Sequence, residues 1–234
     1  MDHPHWVVGN YVGFEHFHSN QNLKLNKKYV RFFKPTYQFQ KKNNILNSSM
    51  RLISDSMRYG YNKSIIDNFN SSFPNSKKKI RNTGVIYVVS EQDKEERNRI
   101  FLSDKTDPFN LPLLNFDYSI GDKTLSTIRK SAKLISTWLL KNDYGRGRLD
   151  DWIINENMIV DYTKSEWYGH HIGTTRMGID KKTSVVDINN KIHSLKNLYI
   201  SGSSTFPTGG ASNPTFFIIQ MSLHLGDHIK NLKI

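Results

Sequence analysis

The sequence predicts an α+β fold, an antiparallel sheet with flanking helices. Three observations carry that expectation. Runs rich in β-branched and aromatic residues stand at 6–17 (WVVGNYVGFEHF), 28–34 (KYVRFFK) and 84–92 (GVIYVVSEQ), which is the composition of strands. The stretch 125–139 carries apolar residues at helical spacing. A second apolar stretch, 215–230, opens directly after Asn213-Pro214, residue types that favour a helix start.

Taken in order, 6–17 reads as the first strand and 28–34 as the second, stopped by Pro35. Between 45 and 58, Leu46, Met50, Ile53 and Met57 recur near helical spacing and predict a helix. Residues 62–83 carry Asn, Ser, Lys and a proline and read as a loop. NRIFLS (98–103) is expected to pair antiparallel with 84–92 across a polar turn. TDPFNLP (106–112) is turn chemistry, with proline at two points. Leu125, Ile128, Ala132, Ile135 and Leu139 form one apolar stripe, with Lys123, Arg129, Lys130 and Lys133 largely on the other side. That pattern predicts a core-packed helix ending near Asn142. SVVDI (184–188) and NLYIS (197–201) predict short strands, and 215–230 the last helix.

A chain of 234 residues suits one large domain or two small ones and is long enough to bury a core. Its 37% hydrophobic and 12% aromatic content excludes a disordered composition. The absence of cysteine excludes disulfides and thiolate metal sites. No stretch approaches the roughly 18 apolar residues of a membrane span. The opening MDHPHWVVGNYVGF lacks a basic region followed by an apolar core, so a cytoplasmic location is expected. The net charge is +12, from 33 basic and 21 acidic residues. The lysines are scattered, as in KKNN (41–44) and SKKKI (76–80), and no nucleic-acid motif accompanies them. Nucleic acid is therefore not an expected partner.

The chemistry-bearing residues stand near the C-terminus. YGHHIGTTRMGID (168–180) places two histidines side by side. On extended backbone, adjacent side chains point to opposite faces, so only one of His170 and His171 faces a given site. Such neighbours do not converge on one metal ion. Glu166 and Asp180 add no ligand spacing, so no metal is expected. In NLYISGSSTFPTGGASNPTFFIIQ (197–220), a strand runs into Gly202, a small-residue turn follows, and Asn213-Pro214 opens a helix. Asn213-Pro214 has two readings. One is a well-made helix start, with Asn213 as its cap. The other is a helix start whose free N–H groups and positive dipole end face an electron-rich group.

Together these segments resemble the C-terminal part of the glucose–methanol–choline (GMC) oxidoreductases, in the pyranose-oxidase-like and bacterial branch. The matching elements are His-x-x-Gly-Thr-x-Arg-Met-Gly (170–178), Val-Val-Asp (185–187), Asn-Leu-Tyr-Ile-x-Gly (197–202), Pro-Thr (207–208) and Asn-Pro-Thr (213–215). Their order and spacing agree with the family. Upstream, NRIFLSDKTDPFNLPLLNFDYS (98–119) resembles the segment leading out of the family's substrate domain. Asp2-His3-Pro4 resembles the Asp-His-Pro that follows its FAD domain.

The resemblance implies an FAD-dependent oxidoreductase acting on CH–OH groups, which passes a hydride from an alcohol or sugar carbon to flavin N5. It makes His170 the catalytic base and Asn213 its partner on the substrate oxygen. It places Ser201, Gly202, Pro214 and Thr215 at the cofactor. His171 is expected to make a structural hydrogen bond on the far face. The family often has an acidic residue where Ser201 stands here. The family's G-x-G-x-x-G for the ADP half of FAD is not in the sequence, because Gly145-x-Gly147 runs on into Arg148, Leu149 and Asp150. The expected organisation is therefore a remnant of the FAD domain at 1–16, a substrate-binding domain at 17–165, and a C-terminal catalytic segment at 166–234. The last would complete an FAD-binding α/β domain whose N-terminal half is absent. The expected partners are an alcohol or sugar substrate and a separately encoded FAD-binding half. The alternatives are an inactive fragment and a non-enzymatic basic binding module.

Overall fold

GVIYVVS belongs to a strand, β3 (Asn82–Ser90), that is buried along nearly its whole length. Such a strand is covered on both faces and sits centrally. In this computed structural model it pairs antiparallel with β1 (His5–Gly13) on one side and β2 (Ser48–Ser54) on the other. β6 (Gly145–Leu149) and the two-residue β7 (Ser165–Glu166) add to β1, and the sheet order is β2-β3-β1-β6. The structure describes residues 3–14, 32–54, 66–67, 70–71, 78–166 and 169–232. Most of the expected loop at 62–83, the tail of the strand expected at 6–17 and the first part of that at 28–34 lie outside the described residues. The chain divides into two units, one of Met1–His3, Glu91–Thr124 and Tyr168–Ile234, the other of Pro4–Ser90 and Leu125–Trp167.

The second unit holds the sheet. Trp6, Val8, Tyr11, Leu52, Ile86 and Val88 are buried there, each side chain contributing roughly 1.5–3 kcal/mol by leaving water. The register of β1 on β3 shifts between Val7 and Gly9, and Gly9 has φ +155°. A Cβ there would run into the Arg148 carbonyl of β6, so the bulge requires glycine. After the short helix α1 (Tyr37–Asn43), the long helix α2 (Asp122–Lys141) belongs to this unit from Leu125 onward. Its buried side is the expected stripe, with Ile128, Ala132, Ile135 and Leu139 out of solvent. Two polar contacts join it to the sheet. The Ser131 and Ser48 hydroxyls lie 2.7 Å apart, and Ser136 Oγ donates to the Gly147 carbonyl at 3.3 Å. A Cβ on Gly147 would come within 2.8 Å of Ser136 Oγ and 2.9 Å of Ile86 Cδ1, so this glycine sets how closely helix and strand approach.

Where a helix was expected over 45–58, Ser48–Ser54 form strand β2, and 55–58 lie outside the described residues. Ser48 and Ser49 are both buried, and from Met50 onward burial alternates, with Met50, Leu52 and Ser54 buried and Arg51 and Ile53 half-buried. The period of two decides, because β3 offers a full ladder from Ser48–Ser90 to Ser54–Gly84, and local propensity is the weaker effect.

In the first unit, β4 (Arg99–Thr106) does not pair with the 84–92 run. It forms a two-stranded antiparallel sheet with β5 (Pro112–Asp117). Both sides of β3 are already taken by β1 and β2, and a tight turn closes the local hairpin. Asp107 Oδ1 accepts from the N–H groups of Phe109 (2.8 Å) and Leu111 (2.9 Å), and Asn110 sits at φ +60°. The Asn98 side chain ties the far ends of the hairpin, accepting from Ser119 N at 2.7 Å. The strands expected at 184–188 and 197–201 reduce to single bridges, Val186 with Met177 and Ile192, and Lys191 with Tyr199. Helix α3 is the single turn Asp151–Ile154 of the second unit, and the last helix, α4, spans Thr215–Lys230 as expected. Among the described helices, none is long and apolar enough to cross a membrane.

Candidate functional site

Two chain segments build the site, both in the first unit. One is 169–178, which enters at Gly169 (φ +67°) and bends again at Gly173 (φ +80°). The other is 201–215. Three backbone hydrogen bonds lace them together: Gly173 N to Ser203 O (3.1 Å), Thr175 N to Ser204 O (2.9 Å) and Met177 N to Thr205 O (2.8 Å). Ser203 Oγ adds a bond to the His171 carbonyl at 2.8 Å, and the Thr175 and Ser204 hydroxyls meet at 2.8 Å. Partners numbered 173, 175, 177 meet partners numbered 203, 204, 205. The second segment advances more slowly because residues Ser203–Thr205 form a single 3-10 turn. Gly202 permits that turn with φ +117° and ψ −178°, a region open essentially to glycine alone.

The structure separates the two histidines. His170 is half-buried, and its Nδ1 lies 2.5 Å from Nε2 of His3. The two rings meet edge to face, with centroids 4.6 Å apart. His3 is fully buried, and its Nδ1 reaches the Gly209 carbonyl at 3.5 Å. His171 is exposed. The structural hydrogen bond expected of its side chain is not present among the described residues. Its backbone carbonyl makes the contact instead, to Ser203, because the following Ile172 is the buried member of the segment. His3 is the neighbour that the reading of the sequence left without a role, although Asp2-His3-Pro4 already marked the position.

Asn213 is exposed, and its side chain makes no hydrogen bond among the described residues. It does not cap α4. Pro214 occupies the cap position with near-helical dihedrals (φ −77°, ψ −18°) and no side-chain cap bond. The first intrahelical bond beyond it runs from Ile218 N to Pro214 O at 2.9 Å. The N–H groups of Thr215, Phe216 and Phe217 therefore have no acceptor among the described residues, and a helix start of this kind favours electron-rich or anionic groups. Pro214 is buried and Thr215 exposed. Ser201 reaches along the helix, its hydroxyl 2.7 Å from that of Ser222. Around Gly202, no atom of the described residues lies within 4 Å of where a Cβ would stand.

The same unit holds a cavity of about 600 Å³, which Gly173, Thr174 and Arg176 of the motif line together with Lys94, Arg99 and Lys182. Two guanidinium groups on its wall are held by backbone: Arg176 Nε donates to Thr183 O at 3.0 Å and Arg99 Nε to Glu96 O at 2.8 Å. His170 does not line it. The cavity and the histidine pair are separate features on the same laced segment.

Residues 94–222 match the family model of the GMC oxidoreductases. Pyranose 2-oxidase of Lyophyllum shimeji is 48% identical over 46 residues, covering 20% of this chain and 7% of that protein. The large subunit of fructose dehydrogenase from Gluconobacter japonicus is 28% identical over 148 residues, 62% of this chain and 25% of that protein. In fold, the structure is similar to pyridoxine 4-oxidase from Mesorbium loti, with a TM-score of 0.51 and 12% identity, covering 100% of this chain and 43% of that one. The chain thus spans less than half the length of each of these proteins. With the motif order, the laced segments and a family match over more than half of its residues, the chain belongs to the GMC oxidoreductase family.

Proposed function

We propose that this chain supplies the substrate-binding and C-terminal catalytic part of an FAD-dependent oxidoreductase acting on CH–OH groups. In this reading, 17–165 form the substrate-binding domain, while 1–16 and 166–234 contribute to the flavin-binding domain. The observation that carries it is the lacing of the His170 segment onto residues 203–205, which brings two separated motifs onto one platform.

The residues present fit one part of the cofactor. Three first-turn N–H groups of α4 without acceptors, and open space at Gly202, suit the electron-rich N1–C2=O edge of a flavin. A cradle for the ADP half is not among these 234 residues, so the reading assigns it to polypeptide outside them, on the same chain or on another. A bound flavin would supply the acceptor for a hydride. The chain's own residues handle the substrate oxygen. His170 takes the alcohol O–H proton on a ring nitrogen as the C–H bond electrons leave. Asn213, whose amide has no hydrogen-bond partner among the described residues, donates to the same oxygen and holds its orientation. Ser201, Gly202, Pro214 and Thr215 shape the wall against the cofactor. The names of two relatives carry a sugar, which supports the proposal of an alcohol or sugar substrate.

The test is co-expression with the product of the adjacent gene, followed by flavin content and sugar-dependent dye reduction. A flavin-loaded complex that reduces dye only with an intact His170 supports the reading. A loaded complex in which His170→Ala reduces dye at the parent rate overturns it.

A further inference from the structure

We infer that His3 is a positioning residue that holds His170 in the Nδ1–H tautomer, so that Nε2 of His170 carries the lone pair. The inference rests on the reading of His170 as proton acceptor and adds the device that aims it.

The Gly209 carbonyl faces the His3 ring. A carbonyl oxygen accepts and cannot donate. Nδ1 of His3, 3.5 Å from that oxygen, must carry the hydrogen for the contact to bond. A neutral imidazole has one N–H and one lone pair, so Nε2 of His3 is left as an acceptor. That atom lies 2.5 Å from Nδ1 of His170. Two lone pairs, or two N–H groups, would repel at this separation, so His170 Nδ1 is the donor. One N–H then being spent on His3, the neutral His170 ring presents its lone pair at Nε2. A fixed backbone group thus sets the tautomer of one histidine, and that ring sets the next. Burial keeps the relay in place, since His3 is fully buried. When His170 Nε2 takes a proton, the Nδ1–H bond to His3 becomes charge-assisted and strengthens. The same contact that orients the base therefore favours the protonated state formed during reaction.

The experiment is a long-range ¹H–¹⁵N correlation spectrum of the histidine rings in the full chain near neutral pH. It needs no cofactor. The expected result is an N–H type Nδ1 and a lone-pair type Nε2 for both His3 and His170. His3→Leu removes the acceptor and should shift His170 toward the opposite tautomer. His3→Gln, whose carbonyl can still accept, should preserve it. In the flavin-loaded complex His3→Leu should lower kcat by about 10²-fold with KM little changed, and His3→Gln should restore most of the loss. A protonated Nε2 on His170 in the parent chain overturns the inference. An unaltered His170 tautomer in His3→Leu, with His170→Ala inactive, overturns the role of His3 alone and leaves the reading of His170 standing. A fully active His170→Ala overturns both.

Discussion

The Gly173 N–H donates to the Ser203 carbonyl at 3.1 Å. This bond and the two after it hold the His170 segment against the turn that leads to Asn213. The turn depends on Gly202, whose φ of +117° and ψ of −178° cost a side chain about 1–3 kcal/mol of backbone strain. Among the described residues nothing within 4 Å would obstruct a methyl group, so the cost is backbone strain and not collision. Gly202→Ala is expected to lower the unfolding free energy by that amount, read as a lower midpoint of urea unfolding. An unchanged midpoint would show that the turn relaxes freely.

His170 and His171 should differ sharply in consequence. On the proposed reading His170→Ala removes the proton acceptor, and it is expected to lower alcohol-dependent dye reduction by about 10²–10⁴-fold in the flavin-loaded complex. His171→Ala truncates an exposed side chain without a hydrogen bond among the described residues and should remain within about 2-fold of the parent. Equal losses in the two variants would contradict the assignment.

The isolated 234-residue chain is expected to hold FAD weakly. Its helix start at Thr215 offers N–H groups to one edge of a flavin, but the sequence carries no pyrophosphate cradle. Gel filtration after incubation with FAD checks this. Flavin absorbance that travels with the protein would require a phosphate site that the glycine spacing does not provide.

Helix α4 should make the chain associate. Leu225 is its one buried residue, while Phe216 is 64%, Ile219 55% and Leu223 66% exposed. These three stand at helical spacing on one face, and exposed apolar patches mark interfaces or aggregation sites. Sedimentation velocity should reveal concentration-dependent association, reduced in a Phe216→Gln/Leu223→Gln variant. A strictly monomeric parent chain would refute the expectation.

The sheet unit makes two thermodynamic predictions of different kinds. Ile135→Ala leaves a cavity under α2 and should cost about 2–5 kcal/mol. Ser131→Ala strands the buried Ser48 hydroxyl, 2.7 Å away, and should cost about 1–3 kcal/mol. Replacing both serines should cost less than the sum of the single changes, because neither group is then left unpaired. Additive losses in a double-mutant cycle would mean the two hydroxyls do not depend on each other.

Sequence by itself determined the elements whose pattern is local. The stripe from Leu125 to Leu139 has one apolar face at 3.6-residue period, and only a helix buries such a face, so α2 was legible within a few residues of its ends. The turn at 106–112 was legible because Asp107 closes it through its own backbone neighbours. Family membership came from motif order and spacing, which are linear properties, and the proposal of His170 over His171 rests on the same motif.

Only the tertiary structure decided what depends on partners far along the chain. Residues 45–58 carry apolar positions compatible with either period, and the ladder to β3 made Ser48–Ser54 strand β2. Residues 98–103 could pair with any exposed edge, and the short turn gave them β5. Asn213 looked like a cap, yet the helix begins beyond Pro214 and leaves its first donors open. The contact between His3 and His170 spans 167 residues. No local propensity encodes such a pairing, because it arises only when the folded backbone brings the Gly209 carbonyl and two imidazole rings into line.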